Sequence, residues 1–584
     1  MGKILRWIIL CLVILIPVTL PLFTSYIPGT ADGLAHKFRL VAFHEAINDG
    51  FFRPRWLGNV ALGFGAPILM FNYSLQYYLV DLFYRYTGSV NTATQIYQVM
   101  TLIFSFGAMF LLGSKLWGNP AGFVSASIYT LAPYHLMSVS LYEGWGEMGA
   151  FVFPPLLLYL IIQITHYLNL FQKRKHRLDK VGLIFCYLLY VISYLLFIFT
   201  HNISVLMFTP VILLLSYIIT GNNRKAFFMI CFGFLTAGII SSFFTLPAIF
   251  LNHQTSYSLL IEDAIKWRKL FYKSPGLLTV NSFRMLFEKQ AKYFDFSLGL
   301  PIISVIVIYL FKLVRSLFYS KKRLKRLLHS FLDWKPKNNL AVILILIMFF
   351  SIFLISPNSS VLWNTDIFNW IIYPFRFLFL LVFVASLLGG YLSRNNIIFS
   401  AIIIFLAIIS SRAYTKPYVD IFPFDNSYFL QTQTITTAPE TKKNMAVTEF
   451  LPKWADKQFL VEKEQEYIAT NKSPRKYIFE AGSGVVTYNR VKSEQMQLEL
   501  DMKRKDTLTI NTFYYPNWEA SIDGDKTVIN KDPYGRMIIE IPEGKHNLKM
   551  NFGYDRVEKW GMILSIIGII LFFIEILIIR RLFR

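Results

Sequence analysis

The sequence predicts a polytopic α-helical membrane protein with a C-terminal, β-sandwich-like module outside the membrane. Only 16% of its 584 residues are charged, whereas soluble proteins have about 25%. Long apolar runs recur along the chain, and the mean hydropathy is +0.46. Between residues 412 and 558 the apolar residues instead alternate with polar ones, which is typical of half-buried strands.

Twelve apolar runs approach the length of about 20 residues that a helix needs to cross a bilayer. We predict spans at 5–24, 93–113, 119–139, 149–169, 181–200, 203–220, 226–250, 298–314, 339–356, 375–393, 396–411 and 559–579. The stretch 66–86 is aromatic and interrupted by polar residues, so we expect an interfacial or re-entrant helix there.

The net charge of +23 by itself suggests binding to nucleic acid, but the positions of the positive charges in the sequence do not support that interpretation. The strongest basic clusters lie between predicted spans or at the end of the chain, at 173–180, 221–225, 320–337, Arg394 and 580–584. All of them are cytoplasmic if the N-terminus is cytoplasmic, as the positive-inside rule requires. We therefore predict a multi-pass plasma membrane protein with both termini in the cytoplasm, the lipid bilayer as a partner and no nucleic acid.

The predicted spans divide the chain into three parts. Residues 1–411 form the multi-span domain with an outer loop at 25–92, residues 412–558 form the extracytoplasmic module, and residues 559–584 form the last span and a basic tail. The first run has no A-x-A-like cleavage site after it, which favours an uncleaved span. The three cysteines lie in apolar runs and form no CxxC motif, so no disulfide framework is expected.

Within the module, four segments alternate with the period of a strand: 495–502, 507–515, 519–529 and 537–552. Asp523-Gly524 separates two short alternating runs and predicts a hairpin. The segment Pro542–Lys545 predicts a second turn. Residues 412–480 are mixed in character, and their fold is left open.

The segment "TADGLAHKFR", residues 30–39, follows the first span directly. Asp32, His36 and Arg39 are spaced i, i+4 and i+7, so a helix would place them on one face. Two interpretations of Asp32 are open: a helix N-cap, or a general base held beside a histidine. The loop has no D-x-D motif, no cofactor is indicated with certainty, no metal ligand is assigned, and a divalent metal remains open.

Five further residues lie at the predicted outer face. Glu143 and Glu147 precede span four, and they are either solvated loop residues or part of a polar rim. His201 lies in the tight turn between spans five and six, where turn chemistry is the simpler explanation. Arg376, preceded by Tyr373-Pro374, stands at the start of span ten, where an arginine either extends to the membrane surface or binds an anion such as phosphate.

These features resemble the GT-C class of membrane glycosyltransferases, and more closely the bacterial YfhO-type proteins related to the membrane family labelled 6-pyruvoyl-tetrahydropterin synthase-related. The segments that carry the resemblance are "ADGLAHKFRL", "FRPRW", "YEGWGEMGAF", "FTLPAIF", "IIYPFRFLFL", "FYYPNWEASIDGDKTV" and "IPEGKHNLKM". The similarity extends over most of the chain. The histidine arrangement of a zinc pterin synthase is not present in this sequence.

The resemblance implies an inverting transferase that moves a sugar from a polyprenyl-phosphate carrier to a cell-envelope polymer, such as lipoteichoic acid, or to a glycolipid. It implies that Asp32 acts near the acceptor and that Arg376 holds the lipid phosphate. We count His36, Glu143 and Glu147 as further catalytic candidates. The substrate-binding candidates are Arg39, His201, Tyr373 and Arg376.

Two other functions remain open. A transporter or flippase of a lipid-linked substrate would carry charges within its spans and an internal repeat of them. A non-catalytic envelope assembly scaffold would use the β module to bind a polymer or a partner. The ionisable residues named above lie near the ends of spans, which favours the transferase.

Overall fold

The structure is a computed structural model with side chains. It describes residues 2–257, 275–292, 295–319, 336–417, 421–422, 437–438, 443–444, 450–470 and 472–582. Most of the predicted basic cluster 320–337 lies outside the described residues, as do parts of residues 251–297, which connect the seventh and eighth predicted spans, and of segment 412–480.

The described chain is mainly helical. Its α-helices, in chain order, are α1 Gly2–Thr19, α2 Gly33–Asn48, α3 Ile68–Phe71, α4 Leu75–Thr87, α5 Val90–Trp117, α6 Asn119–Leu131, α7 Pro133–Ser140, α8 Trp145–Ala150, α9 Phe153–Arg174, α10 Arg177–Thr200, α11 Asn202–Thr220, α12 Arg224–Ile240, α13 Ser242–Phe250, α14 Pro275–Arg284, α15 Leu300–Tyr319, α16 Pro336–Ile355, α17 Ser360–Trp363, α18 Asp366–Ile371, α19 Phe377–Ser393, α20 Ile397–Ser411, α21 Lys457–Thr470 and α22 Arg556–Leu582.

Eight helical segments of the described chain are long and apolar enough to cross a membrane, and two bent helix pairs raise the number to ten. Helices α1 and α22 expose many large apolar side chains, which in water would be unfavourable and in a bilayer face lipid. These helices indicate a multi-pass membrane protein. The count of twelve spans stays a prediction, because 119–139 and 298–314 fall on shorter or interrupted apolar helices.

Two predicted spans are not straight helices. The predicted span 119–139 is divided at Ala132 into α6 and α7 because Pro133 has no N–H to continue the backbone ladder and forces extended geometry on the residue before it. The predicted span 226–250 bends by 67° between α12 and α13, at Ser241. The aromatic stretch 66–86 forms the two helices α3 and α4, which are separated at Asn72–Ser74.

The C-terminal region folds into two antiparallel sheets, as the alternation predicted. One sheet has five strands in the order β10-β9-β13-β7-β6, and the other has four in the order β11-β12-β8-β5. The nine strands are β5 Tyr477–Phe479, β6 Gly484–Lys492, β7 Gln495–Met502, β8 Asp506–Phe513, β9 Trp518–Ile522, β10 Asp525–Thr527, β11 Asn530–Lys531, β12 Arg536–Ile541 and β13 Gly544–Phe552. Four short strands precede them, with β1 Ile27–Pro28 paired to β2 Ile421–Phe422 and β3 Thr437–Ala438 paired to β4 Lys443–Asn444. We call residues 472–552 the β domain.

Alternate side chains of the central strands form the core of the β domain. In β7, Met496, Leu498, Leu500 and Met502 are buried, and their neighbours between them are more exposed. The hairpin at Asp523-Gly524 is confirmed: both residues have positive φ and Ile522 pairs with Asp525, as in a two-residue type I′ turn. The predicted second turn, Pro542–Lys545, carries the chain from one sheet to the other.

The first loop, residues 25–92, packs firmly on the β domain. Arg55 is buried between two carboxylates, with Nη2 2.7 Å from Oε2 of Glu494 and Nη1 3.3 Å from Oε1 of Glu558. Beside it, the fully buried Trp56 packs on Trp518 and Phe552. A buried ion network and an aromatic cluster therefore fix the position of the loop that carries α2.

Candidate functional site

A polar cavity of about 250 Å³ lies where the start of α2 meets the ends of several bundle helices. Its ionisable lining consists of Asp32, His36, Arg39 and Arg376, together with tyrosines such as Tyr73. Two guanidinium groups and one carboxylate line this partly enclosed space, and the buried carboxylate of Glu147 interacts electrostatically with Arg376 from behind the lining. Such a lining favours an anionic group in the cavity.

Helix α2 brings three of these residues together. Asp32 is its N-cap residue, and Asp32, His36 and Arg39 follow at the predicted helical spacing and line the same cavity. The side chain of Asp32 makes no capping hydrogen bond. Its backbone N–H instead donates to the carbonyl of Tyr142, at 3.0 Å. Asp32 therefore lines the cavity and does not cap the helix through its side chain.

Glu143 ties this segment to the loop after α7. It forms a buried ion pair with Lys37, and the Thr30 hydroxyl donates to its Oε2 at 2.6 Å. Gly33 makes the close approach feasible, because a Cβ at this position would lie only 2.0 Å from the same oxygen. Glu143 has a positive φ of 55°. Although it was a catalytic candidate, it does not belong to the cavity lining, and its contacts are those of a positioning residue.

His36 is held in one orientation by aromatic neighbours. Its Nδ1 lies 2.9 Å from the hydroxyl of Tyr77, and its ring stacks on Trp145 with centroids 5.1 Å apart. Burial, followed by the charges of Arg39 and Lys37, holds the pKa of His36 well below its ordinary value. The imidazole is therefore neutral near pH 7. It can donate a hydrogen bond from one ring nitrogen and accept one at the other without bringing a charge into the cavity.

Arg376 enters the cavity from the opposite wall. It ends a 3-10 turn, Pro374–Arg376, directly before α19, as expected for the start of a span. Its Nη1 donates to the carbonyl of Ile371 at 2.6 Å, and its guanidinium lies 5.2 Å from the ring centre of Tyr373. Nε is buried without a hydrogen-bond partner among the described residues. The guanidinium is thus oriented by one contact and retains donor capacity for a ligand.

Of the three remaining candidate residues, one lines the cavity and two lie behind the lining. Tyr373 lines the cavity. His201 lies in the turn between α10 and α11, where its Nδ1 is 2.7 Å from the Ser204 hydroxyl; its neighbour Asn202 is the lining residue. Glu147 accepts a hydrogen bond from the Tyr134 hydroxyl and is not among the lining residues.

Sequence reasoning did not identify Tyr142 and Trp370 as lining residues. Both stand beside residues that it did consider, Glu143 and Tyr373, but aromatic residues are common at predicted membrane surfaces and gave no separate signal. In the part of the chain that the structure describes, no group of three His, Cys, Asp or Glu residues could hold a metal ion.

An apolar groove of about 640 Å³ adjoins the cavity. Cavity and groove share the lining residues Asn202, Ile203, Ala248 and Trp370. Beyond them the groove follows α10, α11 and the bent pair α12–α13, with a predominantly apolar lining that includes Leu206. The two spaces are therefore direct neighbours: one has a polar lining with two arginines and the other an apolar lining.

Comparison with known proteins does not identify a family for this chain. No protein-family model matches the chain, and a search of the curated proteins gives no significant match.

Proposed function

We propose that this chain is a GT-C-like membrane glycosyltransferase that moves a sugar from a polyprenyl-phosphate donor to an acceptor of the cell envelope. One observation carries the proposal: the cavity lined by Arg39 and Arg376 adjoins an apolar groove and shares four lining residues with it. A ligand that fills both spaces has an anionic head and a hydrocarbon chain. A polyprenyl-phosphate sugar has both, with the sugar attached to the phosphate.

The cavity residues supply the groups that such a transfer needs. Arg376 and Arg39 stabilise the phosphate, whose negative charge grows as it leaves. Asp32 accepts the proton of the acceptor hydroxyl, and the oxygen of that hydroxyl forms a bond to the anomeric carbon of the sugar. The bond from that carbon to the phosphate oxygen breaks, and the phosphate retains the electron pair. Neutral His36 orients a sugar or acceptor hydroxyl by hydrogen bonding.

In this proposal the N-terminus is cytoplasmic and the cavity faces the outside of the plasma membrane. The basic clusters support this orientation. Lipid-linked donors suit that face, since nucleotide sugars are normally absent there. The acceptor is a cell-envelope polymer or a glycolipid.

The test compares wild type with Asp32→Asn in a host that lacks the protein. Asp525→Asn is the matched control, because Asp525 is exposed in the β9–β10 hairpin. At equal membrane levels, mass spectrometry of glycolipids and envelope polymers is expected to reveal one additional sugar with wild type and control only. The same product from Asp32→Asn would remove Asp32 from the chemistry. No product from any of them, when the donor is supplied, would contradict the transferase.

A second function, translocation of a lipid-linked substrate, is favoured by the bend between α12 and α13. Broken helices line substrate sites in many transporters, and this one lines the groove. In proteoliposomes, movement of a fluorescent polyprenyl-phosphate sugar between leaflets without a new glycosidic bond would favour translocation over transfer.

A further inference from the structure

A second cleft, of about 580 Å³, lies between the first loop and the β domain. Its volume is within the usual range of ligand sites, about 300–1,000 Å³. One wall contains Glu45, Asn48 and Asn59 from the end of α2 and the loop that follows. The other wall contains Tyr477 and Thr512 from the four-stranded sheet.

The cleft is formed by two parts that are firmly joined. Asp49 Oδ2 accepts hydrogen bonds from the backbone N–H and the hydroxyl of Ser493, at 2.7 and 2.9 Å. The backbone N–H of Phe513 donates to the carbonyl of Phe64 at 2.8 Å, and the two rings stack. Both walls therefore have fixed positions, and the space between them is preformed.

Two hydroxyl groups of the lining are buried without a hydrogen-bond partner among the described residues: Oγ1 of Thr512 and the phenolic oxygen of Tyr477. Thr512 is only 1% exposed. Buried hydroxyls are normally satisfied, and an unsatisfied one costs about 1–3 kcal/mol. Two such groups in one cleft indicate a ligand that offers hydrogen bonds.

Both lysines of the cleft are held by backbone carbonyls. The Lys476 ammonium donates to the carbonyls of Gly63 and Asn511, at 2.6 and 3.0 Å. The Lys492 ammonium donates to the carbonyl of Asp49 at 2.5 Å. What remains for a ligand consists mainly of hydroxyl, amide and carboxyl groups, which suit a neutral polyhydroxylated molecule better than a polyanion.

We propose that this cleft is a binding site for a neutral saccharide, with Thr512 and Tyr477 as hydrogen-bonding residues and Asn59 on the facing wall. Helix α2 connects it to the cavity, since Asp32 stands at one end and Glu45 near the other. At 1.5 Å per residue the two are about 20 Å apart along the helix. A role as a remote acceptor subsite rests on the proposed function, whereas saccharide binding itself does not.

The test uses the full chain in lipid nanodiscs free of glycolipid and of sugar-based detergent. The probes are arrayed short oligosaccharides of glucose, galactose and N-acetylglucosamine, with poly(glycerol phosphate) as the anionic comparison. Wild type is expected to bind a neutral oligosaccharide, and Thr512→Val to bind it about three- to tenfold more weakly for one lost hydrogen bond. Thr507→Val, on the same strand and not among the cleft residues, is the matched control.

Thr512→Val removes an unpaired hydroxyl and keeps the shape of the side chain, so its melting temperature is expected to equal that of wild type or exceed it. Equal saccharide affinity of Thr512→Val and wild type would overturn the proposal. So would preferential binding of poly(glycerol phosphate), or no binding of any neutral oligosaccharide. Asp32→Asn is expected to retain saccharide binding, which separates a failure of this site from a failure of the proposed transfer.

Discussion

Lys37 and Glu143 form an ion pair in which each side chain is only 1% exposed. The pair joins the second turn of α2 to the loop between α7 and α8, and so it fixes the start of the helix that carries Asp32. Replacing Lys37 by Met is expected to destabilise the protein by about 3–5 kcal/mol, because the carboxylate of Glu143 would remain buried without its cation. Thermal unfolding in nanodiscs measures the effect.

The double variant Lys37→Met/Glu143→Met is the control for this pair. It removes both charges and is expected to regain much of the lost stability. If Glu143→Gln instead keeps the melting temperature of wild type and abolishes transfer, Glu143 acts in the chemistry and not in positioning.

Arg376→Lys is expected to weaken donor binding. Lysine keeps the charge but lacks the planar fork that binds phosphate oxygens in pairs, and it cannot donate to the Ile371 carbonyl in the same geometry. We expect the KM for the lipid-phosphate donor to rise by about tenfold. Arg394→Lys is the control, since Arg394 follows the other end of α19 and packs on Tyr391. An unchanged KM in Arg376→Lys would exclude this arginine as the phosphate ligand.

Ala248→Phe is expected to discriminate between donors by chain length. Ala248 lines both the cavity and the groove, so a larger side chain narrows the passage between them. Activity with a long polyprenyl donor is expected to fall, and activity with a short-chain analogue to remain. Comparing kcat/KM for the two donors measures this, with Ala248→Ser as control. An equal loss for both would indicate a general packing defect.

Glu45 is expected to make stability pH-dependent. Burial, followed by the charge of Asp49, raises the pKa of Glu45 from 4.5 to about 7. The folded protein therefore holds this proton more tightly than the unfolded chain does, so stability falls as the pH rises from 4.5 to about 7. Glu45→Gln is expected to be less sensitive over this interval. Melting temperatures measured across it test this, and parallel curves for the two proteins would contradict it.

Arg55→Met is expected to release the first loop from the β domain. The side chains of Arg55, Glu494 and Glu558 are each at most 5% exposed, and loss of the guanidinium leaves two buried carboxylates. We expect destabilisation of about 3–5 kcal/mol and faster proteolysis within residues 25–92. Arg53→Met is the comparison: its guanidinium donates to the carbonyl of Phe243 and interacts with Glu558 through its charge, so a smaller loss of stability is expected. Equal protease resistance of Arg55→Met and wild type would contradict the expectation.

The sequence predicted the features that depend on local periodicity. Spacing alone placed Asp32, His36 and Arg39 on one helix face, because a helix repeats every 3.6 residues. The Asp523-Gly524 turn was predictable because its two positive φ angles favour those residue types. Strand β6 could not be predicted from alternation. Its side chains are exposed or only partly buried, so it has no buried face that would require apolar residues at every second position.

The features that depend on distant contacts could not be predicted. The partner of Glu143 is 106 residues away in the chain, and no local pattern connects it to Lys37. The bend at Ser241 has no proline at the break, and just after it the backbone N–H of Phe243 donates to the hydroxyl of Ser565 in α22, a contact that no local pattern predicts. Ala248 and Trp370 line both the cavity and the groove although they are far apart in the sequence, so only the folded chain makes the two spaces neighbours.

The docking of Arg55 on Glu494 has a consequence for biosynthesis. The two residues are 439 positions apart, so at about 5–20 residues per second the ribosome needs ~20–90 s to reach the second after the first. During that interval Arg55 lacks Glu494 and Glu558, and the neighbouring Trp56 lacks Trp518 and Phe552. The first loop therefore remains without its packing partner until the β domain has been synthesised. Before that time it is most accessible to quality-control proteases and chaperones.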